Sequence, residues 1–84
     1  MATVELTPEA NKQKERLPKK PKEQVRKMLK RLENWPTVSG VKRLAGNLAS
    51  SYRARVGDYR IRFSVKGDIL TVDKIGDRKD FYEN

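Results

Sequence analysis

The 84-residue sequence contains no cysteine and no histidine, which excludes several common kinds of active site. There is no thiolate nucleophile, no disulfide framework and no imidazole acid or base, and the absence of both cysteine and histidine argues against zinc chemistry. No apolar run approaches the roughly 20 residues that a membrane-spanning helix needs, and the N-terminus does not resemble a signal peptide. The sequence therefore predicts one small cytoplasmic domain with a thin hydrophobic core.

Acidic residues are also scarce, because 11 Asp and Glu stand against 20 Lys and Arg and leave a formal net charge of +9. This excess predicts attraction to polyanions, which include RNA, DNA, acidic membranes and acidic proteins. A basic surface can also simply keep a small domain soluble. Charge alone therefore predicts a class of partners and does not select one of them.

Short segments rich in β-branched residues, together with one segment whose apolar residues recur with helical spacing, predict an α+β domain. Residues 3–6 predict a strand, and Thr7 followed by Pro8 predicts the start of a mostly polar helix that runs to about Leu17. Residues 21–34 predict a second, amphipathic helix. Its apolar positions follow the spacing i, i+3, i+4, i+7 and are Val25, Met28, Leu29 and Leu32.

The second half of the chain predicts an antiparallel sheet. Residues 36–50 are expected to form a connector, and Gly57-Asp58 and Gly67-Asp68 are expected to form the two tight turns of a three-stranded meander. Gly76 is expected to turn the backbone out of the last strand. The predicted architecture is thus an N-terminal strand and a helical hairpin packed on an antiparallel β-sheet.

The hairpin at the first of these turns alternates apolar residues with arginines, which predicts a cationic sheet face. Its register sets Arg55 opposite Arg60. It also sets Arg53 opposite Arg62, although like charges directly opposite each other destabilise a sheet. An anionic ligand, above all a nucleic-acid backbone, explains such a cluster. Arg62 has a structural explanation as well, because the next turn sets it opposite Asp73 for an ion pair.

These features resemble the RelE/ParE superfamily of bacterial and archaeal toxins over the whole length from the first strand to Tyr82. The resemblance is strongest in the hairpin of residues 52–63 and in the terminal Gly76-Asp77-Arg78 with Tyr82. In the RelE branch the fold is the helical hairpin on an antiparallel sheet, and the activity is cleavage of messenger RNA in the ribosomal decoding site. The resemblance implies catalytic roles for Arg55, Arg60, Arg78 and Tyr82, and with the basic residues nearby it predicts RNA binding by Lys42, Arg43, Arg53, Arg55 and Arg62.

Cleavage of RNA in this way requires no metal and no cofactor, because the 2′-hydroxyl of the RNA is the nucleophile. Arg60 and Arg78 are predicted to stabilise the charged transition state, since arginine presents a fixed fork of donors to phosphate oxygens. Arg53 and Arg55 are predicted to hold the flanking backbone. Tyr82 is the candidate general base or a platform on which a base stacks, and the neighbouring cations favour its phenolate form.

The resemblance also implies partners. It implies a cognate antitoxin that wraps the toxin and is acidic, the ribosome with its messenger RNA, and operator DNA reached through the antitoxin complex; no membrane partner is expected. Two alternatives stay open. One is a ParE-like inhibitor of DNA gyrase that acts by binding, and the other is a non-catalytic basic nucleic-acid-binding module, or a toxin that has lost its activity.

Overall fold

The computed structural model describes residues 1–43 and 51–81, and in them two helices cover one face of a five-stranded sheet. In chain order the elements are β1 (Thr3–Leu6), α1 (Pro8–Glu15), α2 (Lys19–Arg31), β2 (Val41–Arg43), β3 (Ser51–Val56), β4 (Tyr59–Lys66) and β5 (Ile69–Asp77). Short 3-10 turns follow α2 at Leu32–Asn34 and β5 at Arg78–Phe81. No helix in the described part of the chain is long and apolar enough to cross a membrane.

The sheet has the strand order β1-β5-β4-β3-β2. The meander β3-β4-β5 and the edge strand β2 are antiparallel, whereas β1 runs parallel to β5, so the sheet is mixed. Parallel strands cannot be joined by a tight turn, and here both helices and the rest of the sheet lie between β1 and β5 in the chain. The predicted α+β class, with a helical hairpin on the sheet, is confirmed.

Glycine makes both turns of the meander possible. Gly57 and Gly67 have φ angles of +58° and +61°, and no other residue type in the described chain has a positive φ. A two-residue hairpin with positive φ only at its first central position is of the II′ kind, which matches the right-handed twist of the strands. Both turns were predicted from the Gly-Asp pairs and are confirmed.

The helices begin much as the sequence predicts. The Thr7 side-chain oxygen accepts a hydrogen bond of 3.1 Å from the backbone N–H of Ala10, and Pro8 takes the first helical position. The second helix begins at Lys19, two residues earlier than predicted, with Pro21 in its first turn. Proline is tolerated there because the first N–H groups of a helix have no partner within the helix.

Two predictions about the chain's boundaries are wrong. The connector of residues 36–50 contains β2, and its residues 44–50 lie outside the described residues. A strand of three residues at a sheet edge shows too little alternation to be recognised in sequence. Gly76 does not end the last strand, because β5 continues to Asp77 and Gly76 is buried within it opposite Arg60.

A β-bulge interrupts the pairing of β4 with β5. Phe63 pairs with Val72, but Arg62, the preceding residue of β4, pairs with Lys74. Asp73 is therefore the extra residue of β5. The predicted alignment of Arg62 with Asp73 is therefore wrong at the backbone. The predicted ion pair nevertheless forms, since Arg62 Nε donates to Asp73 Oδ1 at 3.0 Å.

The bulge decides which side chains of β5 face the helices. With the extra residue, Ile75 is opposite Ile61 and is 2% exposed, while Lys74 shares the opposite face with Arg62. If Asp73 were instead paired in regular alternation, Lys74 would face the helices and Ile75 would face the opposite side. The core consists of Ala10, Val25, Met28, Leu32, Ala54, Val56, Ile61, Phe63, Leu70, Val72 and Ile75.

Candidate nucleic-acid interface

Basic side chains surround a cavity of about 300 Å³ on the sheet face that the helices leave uncovered. Strands β3 and β4 contribute arginines whose side chains point to this face, since every second side chain of a strand does so, and β2 contributes the consecutive Val41 and Lys42. We call it the sheet-face cavity, and it is lined by Gly40, Val41, Lys42, Arg53, Arg55 and Arg60.

Gly40 forms one wall of the sheet-face cavity through its backbone. It has a φ of +80°, and its carbonyl oxygen accepts a hydrogen bond of 3.0 Å from the backbone N–H of Arg55. A side chain at this position would be strained, since L-residues rarely adopt positive φ. This glycine therefore connects the entry of β2 to the strand that carries two of the arginines.

Arg55 and Arg60 are direct cross-strand partners, as the sequence predicts, yet their environments differ. Arg55 is exposed at the mouth of the cavity, whereas Arg60 is only 7% exposed. Arg60 Nη1 donates to the carbonyl oxygens of Gly57 at 3.1 Å and Tyr59 at 2.9 Å. These two bonds hold the guanidinium plane, and they leave the N–H groups of Nε and Nη2 for other acceptors.

A row of four cations crosses the same sheet face. Lys42 pairs with Arg53 and Arg53 pairs with Arg62. Arg62 in turn pairs with Lys74, so the row includes one residue from each of four neighbouring strands. At the usual spacing of strands the row is about 14 Å long. Lys74 was missed in the sequence, although the three-residue step from Val72 to Ile75 in an otherwise alternating strand is the signal of the bulge that places it here.

Arg43 does not belong to this surface. It pairs with Tyr52 at the edge of the sheet, and its neighbour Lys42 faces the cavity instead. Because successive side chains of a strand point to opposite faces, Arg43 shares the side of the sheet on which Tyr52 packs against Trp35, with ring centroids 4.6 Å apart. Its predicted role in RNA binding stays a prediction, but the structure does not bring it to the cavity.

Arg78 contacts the β3–β4 turn, which the side chain of Arg60 also contacts. Its backbone N–H donates to the carbonyl oxygen of Asp58 at 3.0 Å, which places it directly after β5 and beside the β3–β4 turn. It lines a separate, shallow cavity of about 630 Å³ with Asp58, Asp77 and Lys79. Arg60 and Arg78 are thus joined through one turn without lining one cavity, and Tyr82 lies outside the described residues.

This interface has the chemistry of an anion site. Guanidinium groups donate paired hydrogen bonds to phosphate oxygens, and lysine adds a compact positive charge. Neighbouring cations in a concave surface reinforce one another's field, which raises the local concentration of anions. The described residues here can therefore bind and orient a phosphodiester backbone.

Comparison with known proteins identifies the family. The family model described as ParE toxin of type II toxin-antitoxin system, parDE, matches residues 4–82. No curated protein matches the chain. The RelB-RelE antitoxin-toxin complex from Methanococcus jannaschii contains a chain of TM-score 0.79 and 22% identity, with 94% of this chain and 95% of that chain covered.

Two further solved structures have the same fold. The archaeal RelE-RelB complex from Pyrococcus horikoshii OT3 matches with a TM-score of 0.77 and 27% identity over 92% of this chain and 94% of that chain. The isolated E. coli RelE toxin matches with a TM-score of 0.78 and 21% identity over 92% of this chain and 84% of that chain. With its RelE-like fold and a family match over nearly its whole length, the chain belongs to the ParE toxin family of the RelE/ParE superfamily and is a toxin of a type II toxin-antitoxin system.

Proposed function

We propose that this toxin is a ribosome-dependent endoribonuclease that cleaves messenger RNA and thereby arrests translation. The observation that carries the proposal is the convergence of Lys42, Arg53, Arg55 and Arg60 on the sheet-face cavity. Arg55 directly opposite Arg60 destabilises the sheet. A phosphodiester bound between the two arginines relieves their repulsion and is attracted by both positive charges. Binding of such a ligand is therefore a reason for the sheet to keep both residues.

The reaction needs three events at one phosphodiester. A base removes the proton of the 2′-hydroxyl, the 2′-oxygen attacks the adjacent phosphorus, and the bond from phosphorus to the 5′-oxygen breaks as that oxygen receives a proton. The products are a 2′,3′-cyclic phosphate and a 5′-hydroxyl. All atoms are supplied by the RNA, so that the protein's task is to position the backbone and stabilise the charge that develops on the phosphate oxygens.

The arginines divide this task according to their burial. The guanidinium of Arg60 is held by two carbonyl oxygens of its own turn, so it is oriented before any ligand arrives. A preorganised donor of this kind is suited to the transition state. Arg55 is exposed and adaptable, which suits binding of the flanking backbone together with Arg53 and Arg62. We assign Arg78 to the leaving side of the phosphate and Tyr82 to proton transfer or base stacking.

The ribosome is the proposed second half of the active site. The domain measures only 32 × 31 × 24 Å, and the sheet-face cavity is open, so that it cannot enclose an RNA strand by itself. Exclusion of water and correct alignment of the phosphodiester then require another surface, which the decoding site with its messenger RNA supplies. This proposal puts the toxin in the cytoplasm, where translation takes place.

A toxin of this class has a cognate antitoxin, and the charge of this chain indicates which charge the antitoxin carries. The formal net charge of +9 favours an acidic antitoxin segment that wraps the toxin and covers its basic surfaces. Masking of the sheet-face cavity would then be the means of inhibition. We further propose that the pair contacts its operator DNA through the antitoxin.

Inhibition of DNA gyrase is the second candidate, because the matching family model takes its description from ParE toxins. The two candidates differ in what they require of the cationic residues. A nuclease needs donors in fixed positions around a phosphate, whereas an inhibitor that acts by binding needs only a complementary surface.

The test is to induce the chain in cells without antitoxin and to map new 5′ ends on translated messages. Arg55→Ala with Arg78→Ala is the site variant, and Lys12→Ala with Lys66→Ala removes equal charge from exposed positions elsewhere. We expect new 5′-hydroxyl ends in register with codons in the wild type and the control variant. They should disappear in the site variant and when translation is blocked.

Other outcomes would reject the nuclease. Growth arrest with intact messages and accumulated cleaved DNA–gyrase complexes would establish the gyrase inhibitor. Absence of arrest, combined with salt-sensitive binding to many nucleic acids, would favour a non-catalytic binding module.

A further inference from the structure

Most of the chain's net charge lies in one helix, on the side of the sheet away from the proposed active site. Within its 13 residues α2 has seven basic residues and one acidic residue, a net charge of +6 out of the +9 of the whole chain. The basic residues are Lys19, Lys20, Lys22, Arg26, Lys27, Lys30 and Arg31, and the acidic one is Glu23.

Five of these cations form one exposed surface. At 100° per residue they occupy an arc of about 120° centred on Glu23, opposite the buried positions of Val25 and Met28. The other two basic residues interact with other parts of the chain. Lys22 Nζ lies 3.4 Å from Glu15 Oε1, and Arg31 Nη2 donates a hydrogen bond of 3.0 Å to Ser39 Oγ. We call this surface the outer face of α2, and it consists of Lys19, Lys20, Arg26, Lys27 and Lys30 around Glu23.

The stability of the helix explains Lys30, which lies in the last turn near the negative end of the helix dipole, but it does not explain the other cations of this face. The first turn of α2 has no acidic residue and no side-chain cap, although the positive end of the helix dipole favours acidic residues there and disfavours Lys19 and Lys20. Arg26 and Lys30 are like charges at i and i+4, which destabilise a helix. No ion pair within 4.0 Å neutralises the five cations among the described residues. Solubility would be served equally by dispersed charges.

The outer face of α2 is separated from the sheet-face cavity by the hydrophobic core. Val25 and Met28 pack in one core with Ile61 and Phe63 of β4, and the arginines of that strand lie on the opposite face of the sheet. The shortest extent of the domain is 24 Å, so a backbone that lies on the sheet face does not reach the helix. The two cationic surfaces therefore contact different segments of any polyanion.

We propose that the outer face of α2 is a second nucleic-acid surface, which binds the phosphate backbone of a structured RNA segment. Cations on successive turns of a rigid helix repeat every 5.4 Å or so, and the row from Lys19 to Lys30 is about 16 Å long, enough to follow several phosphates of one strand. None of the exposed α2 positions is apolar. Tight protein interfaces are commonly anchored by buried aromatic or other apolar side chains, which this face lacks, whereas a phosphate backbone needs only charge.

The surface is tested by binding alone, so that the result does not depend on whether the sheet face cleaves RNA. The probe is a labelled 16-base-pair RNA hairpin, titrated with the full chain between 50 and 300 mM KCl by fluorescence anisotropy. The helix variant is Lys20→Gln, Lys27→Gln, Lys30→Gln. The matched control removes three exposed cations elsewhere, Lys12→Gln, Arg16→Gln and Lys66→Gln.

The helix variant should weaken binding at least roughly tenfold at 0.1 M salt and lower the slope of log K against log salt by about 2 to 3, since each lost phosphate contact removes ~0.7–0.9. The control variant should keep the slope of the wild type. Glu23→Gln is the variant of opposite sign, and it should tighten binding, which impaired folding would not do. The helix substitutions should lower the slope by the same amount when Arg53→Gln and Arg55→Gln are already present, because the two surfaces are separate.

Equal slopes for the helix and control variants would overturn the proposal, and so would a Glu23→Gln variant that binds no tighter than the wild type. A 20-residue poly-glutamate peptide distinguishes the other class of polyanion. If the helix variant loses the peptide and keeps the hairpin, the surface binds an acidic protein segment, and the nucleic-acid assignment is wrong.

Discussion

The side-chain oxygen of Gln13 in α1 accepts a hydrogen bond of 2.7 Å from the backbone N–H of Ile75 in β5. The edge strand β1 pairs with β5 only as far as Val72, and among the described residues no other strand continues along this edge. Gln13 satisfies the backbone where β1 has ended. It thereby holds the last part of β5, which runs through Gly76 to Asp77 and precedes Arg78.

Replacement of Gln13 should therefore lower the free energy of unfolding by more than its partly buried position suggests. Gln13→Ala leaves the N–H of Ile75 without its acceptor, and we expect the free energy of unfolding to fall by about 1–3 kcal/mol. Gln13→Glu keeps an acceptor oxygen and should lose less. The measurement is urea unfolding followed by circular dichroism. Lys12→Ala, on the same helix and exposed, is the control, and an equal loss in both alanine variants would contradict the role of Gln13.

The bulge residue itself should be dispensable for the facing of β5. Deletion of Asp73 joins Val72 directly to Lys74, so that regular alternation keeps Lys74 opposite Arg62 and Ile75 opposite Ile61. Deletion of both Asp73 and Lys74 instead turns Ile75 away from the helices, and loss of a buried isoleucine costs about 1.5–3 kcal/mol. We expect a cooperative thermal transition for the single deletion, and a clearly lower midpoint for the double deletion.

Asp73→Ala is the matched substitution, because it retains the extra residue and removes only the ion pair with Arg62. Both side chains of this pair are partly exposed, at 36% and 43%, so its loss should cost less than about 1 kcal/mol. A double-deletion variant that unfolds at the same temperature as Asp73→Ala would show that the alternation beyond Val72 does not fix the facing of β5.

The sequence predicts the β3–β4 pairing correctly because every residue from Tyr52 to Phe63 obeys one alternation around one glycine turn. The bulge breaks that alternation in β5, and β2 is too short to show any. The surroundings of Arg60 were beyond sequence reasoning for a different reason. Its burial depends on how the Gly57 and Tyr59 carbonyl oxygens are directed by the turn, and a pattern of residue types contains no such geometry.

Arg55 and Arg60 should therefore give different phenotypes, although they are cross-strand partners. Arg60→Ala removes the two hydrogen bonds to the turn, so we expect a loss of about 1–3 kcal/mol in the free energy of unfolding together with loss of the proposed RNA cleavage. Arg55→Ala removes an exposed charge and should change stability by no more than about 0.5 kcal/mol. Its effect on cleavage is then an effect on the RNA alone.

Urea unfolding of both variants, beside mapping of 5′ ends after induction, separates these contributions. Arg60→Lys is the informative intermediate, since lysine keeps the charge and loses the fork of donors. If Arg60→Ala unfolds at the wild-type urea concentration, the bonds to Gly57 and Tyr59 do not stabilise the turn.

The contact between the two helices should depend on pH through Glu15. Lys22 Nζ donates to Glu15 Oε1 at 3.4 Å and Lys14 Nζ lies 3.5 Å from Oε2, and these cations, Lys22 foremost, hold the pKa of Glu15 below 4.5. Because the pKa is lower in the folded chain, the contribution of this carboxylate to stability is complete above pH 4.5 and is lost as the pH falls through the folded pKa.

Lys22→Gln should raise the pKa of Glu15 towards 4.5, as measured by the pH titration of its carboxyl carbon resonance. Lys12→Gln, a charge on the same helix without this contact, should shift it less, and high salt should reduce the difference since the carboxylate is exposed. Equal titration of Glu15 in the wild type and in Lys22→Gln would mean that the ion pair between α1 and α2 is not formed in solution.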